Sequence, residues 1–69
     1  MKLNIFLATN KTFSSSNPKI IIINTWTGEE LYNGNYHSLS LSLKDYDWVC
    51  NTITFWDLQD NVLTVEISA

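Results

Sequence analysis

Hydrophobic residues occupy alternate positions in four short segments of this chain, at 3–7, 36–43, 48–56 and 62–67. Alternation with a period of two is typical of β-strands that bury one face and leave the other in water. The last two segments are separated by a short polar stretch, so we expect them to pair as antiparallel strands. The pattern therefore predicts a protein built mainly of strands.

An isoleucine run interrupts this alternation and makes both faces of one predicted strand apolar. Ile20, Ile21, Ile22 and Ile23 are consecutive, and β-branched residues favour strand over helix because a helix restricts their rotamers. A chain of this length covers one face of a sheet readily, but the second face needs a helix, a folded-over sheet or another subunit. The run therefore indicates an inner strand, and self-association through these four residues is one way to cover it.

Turn-forming residues separate the predicted strands. Asn33-Gly34 favours a tight turn, and the stretch 9–18, rich in serine and asparagine, favours a flexible loop. About five or six short strands joined by turns predict an all-β fold, as a small antiparallel meander, barrel or sandwich. The alternative is an α+β fold with a short helix near 39–47. In either form, residues 1–69 are expected to make a single domain.

Cysteine usage and hydropathy limit the compartment. The single cysteine, Cys50, allows no intrachain disulfide, and a lone thiol fits a reducing compartment. The apolar run at 3–8 is shorter than the hydrophobic core of a signal peptide, and no stretch approaches the ~20 apolar residues of a membrane helix. We therefore expect a soluble, cytoplasmic protein.

The charge balance is acidic. Four lysines, no arginine and seven carboxylates leave a net charge of −3. This charge opposes nucleic-acid binding, because affinity for nucleic acid depends on contacts between cations and phosphates. The same charge favours a protein partner with a basic surface.

No motif in the chain specifies catalysis or a cofactor. Cys50 and His37 are the only residues that could form a cysteine–histidine pair, and nothing in their spacing favours one. One histidine and one cysteine cannot supply a zinc tetrahedron, and Asp45 and Asp47 lack the glycine and glutamate of a calcium loop. The glycines stand alone in turns rather than in a phosphate-binding loop. We expect a non-enzymatic protein with no metal and no cofactor.

Aromatic residues are the remaining candidates for a functional surface. Strand parity places Phe6, Trp48 and Trp56 on the face opposite Ile53 and Phe55, where large rings would anchor a protein interface or form a second core layer. Acidic side chains nearby would steer a basic partner. The residues expected to bind the partner are Trp48, Trp56, Tyr32, Tyr36, Tyr46, Asp45 and Asp47.

These features predict a non-enzymatic protein-binding module. One biological setting suits a short, acidic, aromatic-rich chain: a small phage or mobile-element inhibitor, anti-CRISPR-like, that blocks a basic, nucleic-acid-handling host protein. The alternative function is a self-associating structural or assembly subunit, present as a homodimer. The isoleucine run favours the alternative, whereas the acidic residues favour the first function.

Overall fold

The computed structural model describes residues 1–68, which form a four-stranded mixed β-sheet with three short α-helices. Two 3₁₀ turns, Leu43–Asp45 and Asp47–Cys50, connect the last helix to the third strand. The fold is therefore α+β. The helices are α1 (Leu3–Thr9), α2 (Thr12–Ser16) and α3 (Tyr36–Ser42), and the strands are β1 (Lys19–Asn24), β2 (Glu30–Asn35), β3 (Ile53–Gln59) and β4 (Val62–Ile67).

The strand order in the sheet is β2-β1-β4-β3. β1 and β4 are the central strands and run parallel to each other, whereas β2 pairs antiparallel with β1 and β3 pairs antiparallel with β4. The inner position predicted for the isoleucine strand is confirmed. A strand with two apolar faces suits this position because both of its edges are paired, so a neighbouring strand on each side shields its side chains from water.

β3 and β4 are joined by a two-residue turn. Asp60 and Asn61 have positive φ angles of 53° and 60°, the geometry of a type I′ turn, which Asp and Asn adopt more readily than most residues. The predicted antiparallel pairing of the last two strands is confirmed. The first of them, however, is Ile53–Gln59 rather than 48–56, because Asp47–Cys50 forms a 3₁₀ turn.

The helices pack on one face of the sheet, and the core lies between the two layers. Alternate residues of a strand point to opposite faces, so Ile20 and Ile22 are fully buried while Ile21 and Ile23 are half-buried on the other face. Full burial of such a side chain contributes roughly 1.5–3 kcal/mol. The other core side chains are Leu3, Phe6, Leu7, Phe13, Leu39, Leu63, Val65 and Ile67.

The all-β prediction is wrong, and the segment 3–7 shows the physical reason. Leu3, Phe6 and Leu7 are buried at the spacing of one helix face, whereas Ile5 is 47% exposed. Strand alternation instead predicts that Ile5 shares a buried face with Leu3 and Leu7. A segment this short fits both periods, and packing against the sheet decides in favour of the helix.

The segment with alternating leucine and serine is also helical. The side-chain oxygen of Asn35 caps α3 by accepting a hydrogen bond from the Ser38 N–H at 2.8 Å. Leu39 is buried in the core, whereas Leu41 is 84% exposed, so the leucines do not share a face. The alternative α+β prediction has the observed fold class, but it places a single helix near 39–47 and includes neither α1 nor α2.

Residues 9–18, predicted to be a loop, contain α2. Phe13 is buried in the core and holds this helix on the sheet. Asn17 ends the helix in the left-handed conformation, with φ at 44°, and its N–H donates to the Phe13 carbonyl at 2.9 Å.

In the described part of the chain, none of the helices has the length and apolar character needed to cross a membrane.

Candidate functional site

The structure distributes the predicted partner-binding residues over different parts of the fold. Tyr32, Tyr46 and Trp48 form one aromatic group. The rings of Tyr32 and Tyr46 meet edge to face with centroids 5.9 Å apart, and Tyr46 stacks on Trp48 at 4.7 Å. Asp45 and Asp47 flank Tyr46 in the chain and are exposed. We call these five residues the aromatic–acidic patch.

The three rings of the aromatic–acidic patch also contribute to the packing of the hydrophobic core. All three are half-buried and pack against the hydrophobic core. Tyr32 lies over Gly34, where an added Cβ would stand 2.6 Å from the tyrosine hydroxyl oxygen, so a glycine leaves room for the ring. Burial, with a further contribution from Tyr46, raises the pKa of Tyr32 above its usual value of 10.0.

Tyr36 belongs to the packing between the helices. Its ring centroid lies 5.9 Å from that of Phe13, and its hydroxyl donates to the Leu7 carbonyl at 3.3 Å. The side chain therefore links α3 to both α1 and α2. Its position in the fold indicates a packing role.

A β-bulge decides where Trp56 points. Ile53 pairs with Ile67, but the register shifts between Ile53 and Phe55, so that Trp56 pairs with Val65 in the core. Directly paired residues share a face. Trp56 therefore lies on the helix side of the sheet and Phe55 on the opposite side. The predicted parity, with Ile53 and Phe55 on one face and Trp56 on the other, is wrong.

Trp56 stands at the border of the core. Its ring centroid lies 5.3 Å from that of Phe6, with the two planes at 48°. Phe6, which the predicted parity placed outside the core, is buried in it. Trp56 itself is 49% exposed, so one part of its ring packs on α1 and the rest faces solvent.

β3 is an edge strand whose outer side is paired at its beginning. The Ile53 N–H donates to the Met1 carbonyl at 2.9 Å, and Lys2 and Thr52 form an isolated bridge. Beyond this point, residues 55–59 have no neighbouring strand on their outer side within the described chain. We call the outer side of residues 55–59 the β3 edge.

Backbone polar groups line the β3 edge. The two-residue turn makes Gln59 and Val62 a hydrogen-bonded pair, and such pairs alternate along an antiparallel ladder. The N–H and C=O groups of Asp57 and Gln59 therefore point to β4, whereas those of Trp56 and Leu58 point outward. Within residues 1–68, no strand pairs with these outward groups.

Large apolar side chains stand on both sides of this edge. Trp56 and Leu58, which is 41% exposed, lie on the helix side, and Phe55, which is 52% exposed, lies on the other. Natural edge strands are commonly protected from pairing by lysine or proline, and β3 contains neither residue. An edge that is mainly apolar and carries one charged residue, Asp57, is suited to pairing with a chain of complementary charge.

A cleft of about 330 Å³ opens beside the β3 edge. The amino-terminal residues, α1 and the first half of β3 form its walls. Its lining is mainly apolar, which suits an apolar side chain better than a charged ligand. The lining residues are Met1, Phe6, Ile53, Thr54, Phe55 and Trp56.

The acidic residues near the β3 edge lie on one face. Asp57 pairs with Thr64 and Glu66 pairs with Phe55, so both carboxylates are on the face opposite the helices. Asp60 is exposed in the turn at the end of the strand. A cation that approaches the edge on this face would therefore meet two carboxylates, with a third at the turn.

The sheet face opposite the helices is uncovered by any element of residues 1–68. Of the four isoleucines predicted for self-association, Ile20 and Ile22 are buried in the core and cannot contact another subunit. Ile21 and Ile23 lie on the uncovered face and are half-buried. We call this surface the open face, and its apolar residues are Ile21, Ile23, Phe55 and Val62.

Cys50 and His37 have different neighbours. The His37 Nε2 lies 2.9 Å from the Ser14 carbonyl oxygen, and the Cys50 sulfur lies 4.0 Å from the side-chain amide nitrogen of Asn4. The two residues thus contact different helices, α2 and α1. Across residues 1–68, no three or more histidine, cysteine, aspartate or glutamate side chains gather into a group that could hold a metal ion.

No protein-family model, curated protein or solved structure matches this chain. Its function is therefore inferred from the geometry of its surfaces.

Sequence reasoning missed two residues of the β3 edge, Phe55 and Leu58. One signal could have found the first of them: Phe55 and Trp56 are adjacent in a strand, so a large ring lies on each face whatever the register.

Proposed function

We propose that this chain is a non-enzymatic protein-binding module that binds a basic partner through the β3 edge. The observation that carries the proposal is the exposure of three large apolar side chains, Phe55, Trp56 and Leu58, along one edge strand. Clusters of exposed apolar side chains mark interaction sites, and aromatic rings are the usual anchors within them.

The aromatic rings would supply the affinity. Trp56 is already held against Phe6, so little rotamer freedom is lost when a partner covers its exposed part. A central aromatic anchor contributes about 2 kcal/mol or more to binding. The neighbouring cleft can take one apolar side chain of the partner.

The acidic residues favour a partner of positive charge. Asp57, Asp60 and Glu66 border the β3 edge, and the whole chain has a net charge of −3. Opposite charge raises the association rate and disfavours acidic competitors. A basic, nucleic-acid-handling host protein is a partner of this kind. Inhibition of such a protein by a phage or mobile element, in an anti-CRISPR-like manner, is the setting we propose for this binding.

Capture of proteins from a lysate of the native host tests this proposal. Mass spectrometry compares the proteins held by the wild type, by Leu58→Ala and by Leu41→Ala. Both leucines are exposed, one on β3 and one on α3, so the two variants remove the same side chain from different surfaces. We expect a basic protein to be captured by the wild type and by Leu41→Ala, and to be lost with Leu58→Ala.

Binding of that protein to the purified chain must then be direct. Equal capture by all three proteins would contradict binding through the β3 edge. Preferential capture of an acidic protein through Leu58 would contradict the charge of the proposed partner.

A self-associating assembly subunit is the second candidate function. The observation that favours it is the open face, where Ile21 and Ile23 are half-buried and could be covered by a second copy. Glu30 on β2 and Glu66 on β4 both pair with Ile23 in the sheet. Their like charges would oppose close packing of two such faces, which makes this candidate the weaker of the two.

A further inference from the structure

We infer, on the basis of the proposed function, that the β3 edge binds its partner by strand addition and that the partner segment alternates apolar and basic residues. Strand addition requires unpaired backbone groups along a sheet edge, and its selectivity comes from the side chains on each face. The β3 edge has unpaired backbone groups, and its two faces differ in character.

The backbone of the β3 edge is arranged to accept another strand. Trp56 and Leu58 direct both their N–H and their C=O groups outward, as the hairpin register requires. Met1 already pairs with Ile53 at the beginning of the same edge. An added segment would continue along 55–59, and its main-chain hydrogen bonds would supply affinity that does not depend on side chains.

The two faces of β3 determine which side chains the segment should carry. Side chains of an added strand alternate between the two faces of the sheet. On the helix side they would meet Trp56 and Leu58, so apolar residues fit there. On the open face they would meet Asp57, with Glu66 on the next strand, so lysine or arginine fits. The aliphatic stem of such a residue can lie against Phe55.

Charge also distinguishes this partner from a second copy of the chain. Asp57 is the middle residue of 55–59, so antiparallel pairing of two copies over the whole edge would set Asp57 opposite Asp57 of the second copy. Like charges directly opposite each other destabilise a strand pair. A shifted register that avoids this contact shortens the paired segment, because Met1 already occupies the edge at Ile53. We therefore assign the edge to a basic segment of another protein.

A synthetic peptide in which valine and lysine alternate over about seven residues is the probe for strand addition. Two control peptides have the same length. One alternates valine and glutamate, and the other has the same valines and lysines in two separate blocks. Amide hydrogen exchange in the full chain is measured by NMR with and without each peptide.

We expect the alternating lysine peptide to slow exchange at the amides of Trp56 and Leu58 by about tenfold or more at saturation. The amides of Asp57 and Gln59 should be protected with and without peptide, because they pair with β4. Both control peptides should bind at least about fivefold more weakly.

Each contrary result identifies the part of the inference that fails. Equal binding of the block peptide would overturn strand addition and leave a simple charge attraction. Equal binding of the glutamate peptide would overturn the basic character of the partner. Protection of Trp56 and Leu58 that rises with protein concentration, without peptide, would show that a second copy occupies the edge.

Proline substitution separates the backbone contribution from the side-chain contribution. Leu58→Ala removes a side chain, and Leu58→Pro also removes an outward N–H, a change that edge strands tolerate. We expect Leu58→Pro to bind the lysine peptide at least about fivefold more weakly than Leu58→Ala, and equal affinities would overturn strand addition. Asp57→Pro removes a hydrogen bond to β4 and should lower the melting temperature. The exchange measurement on the wild type decides the question even if Leu58→Pro fails to fold.

The inference and the proposed function fail in distinguishable ways. Suppose that a basic host protein is captured through Leu58 but leaves the amides of Trp56 and Leu58 unprotected. Strand addition is then overturned, while the proposed function stands. If neither a host protein nor the lysine peptide binds at the β3 edge, the proposed function itself is overturned.

Discussion

The ring centroids of Phe6 and Trp56 lie 5.3 Å apart, with the two planes at 48°. This contact joins α1 to the edge strand β3 and leaves about half of Trp56 in solvent. One residue therefore contributes to the packing of the helix layer and, in the proposed function, to partner binding. Stability and affinity measured on the same variants separate these two contributions.

Trp56→Ala should lower both the stability of the protein and its affinity for the partner, by different amounts. Because part of the side chain is in solvent, we expect the free energy of unfolding to fall by about 1–2 kcal/mol, less than the 3–5 kcal/mol typical of a fully buried ring. Partner binding should weaken by about 2 kcal/mol or more, because the exposed part is a central anchor. Thermal melting measures the first quantity, and titration calorimetry measures the second.

Trp26→Ala is the matched control, because Trp26 is 75% exposed in the loop between β1 and β2. This variant should change stability by less than about 0.5 kcal/mol and leave affinity unchanged. Trp56→Ala could instead lose about 3 kcal/mol or more in stability and keep full affinity in the folded fraction. That result would show that Trp56 is not part of the interface.

Asp57→Asn and the double variant Asp45→Asn/Asp47→Asn test which carboxylates steer the partner. Asp57 borders the β3 edge, whereas Asp45 and Asp47 belong to the aromatic–acidic patch. Rim charges act mainly on the association rate. We expect Asp57→Asn to slow association and flatten its salt dependence in stopped-flow measurements at several salt concentrations. Because Asp57 also faces the added strand, dissociation should become faster by about fivefold or less. A larger effect from the double variant would place the interface on the aromatic–acidic patch.

Ile21→Lys tests the self-association predicted from the isoleucine run. If the second candidate function holds, the wild type forms a dimer at micromolar concentration and Ile21→Lys is a monomer, because a lysine on the open face would have to be desolvated in the dimer. Light scattering measures the mass of both. A wild type that stays monomeric at high concentration would remove the second candidate function and leave the partner proposal intact.

The double variant Cys50→Ser/His37→Ala tests the absence of catalysis. These two residues contact different helices, so neither is positioned by the other. We expect the biological activity of the chain to be essentially unchanged. Circular dichroism provides the folding control, because loss of activity in a folded double variant would revive an enzymatic function.

Alkaline pH should destabilise the protein through Tyr32. Burial, and then the neighbouring Tyr46, raises the pKa of Tyr32 above 10.0. The unfolded chain then loses this proton at a lower pH than the folded chain, so stability falls as the pH rises above about 10. In Tyr32→Phe, residue 32 cannot ionise. The melting temperature of this variant should therefore fall less than that of the wild type between about pH 9 and about pH 11. Equal losses in the two proteins would show that another group is responsible.

The isoleucine strand and the final hairpin could be predicted because local chemistry decides them. Four β-branched residues at 20–23 favour an extended backbone whatever lies around them. Asp60 and Asn61 tolerate the positive φ angles that a two-residue hairpin turn requires. Neither feature depends on which surface the strands later bury.

The helices could not be predicted because periods of two and 3.6 cannot be distinguished over so few residues. Leu3, Ile5 and Leu7 fit a strand, while Leu3, Phe6 and Leu7 fit a helix. Helices of five to seven residues are unstable alone. Contact with the sheet stabilises them, and that contact is a property of the whole fold.

The sequence by itself determined the acidic charge, the lone thiol at Cys50 and the extended backbone at 20–23. Tertiary structure alone decided where a partner could bind. The bulge between Ile53 and Phe55 sets which face Trp56 occupies, and the strand order leaves β3 at the edge of the sheet. Register and strand order depend on how distant segments pack together, so residues close in the chain cannot specify them.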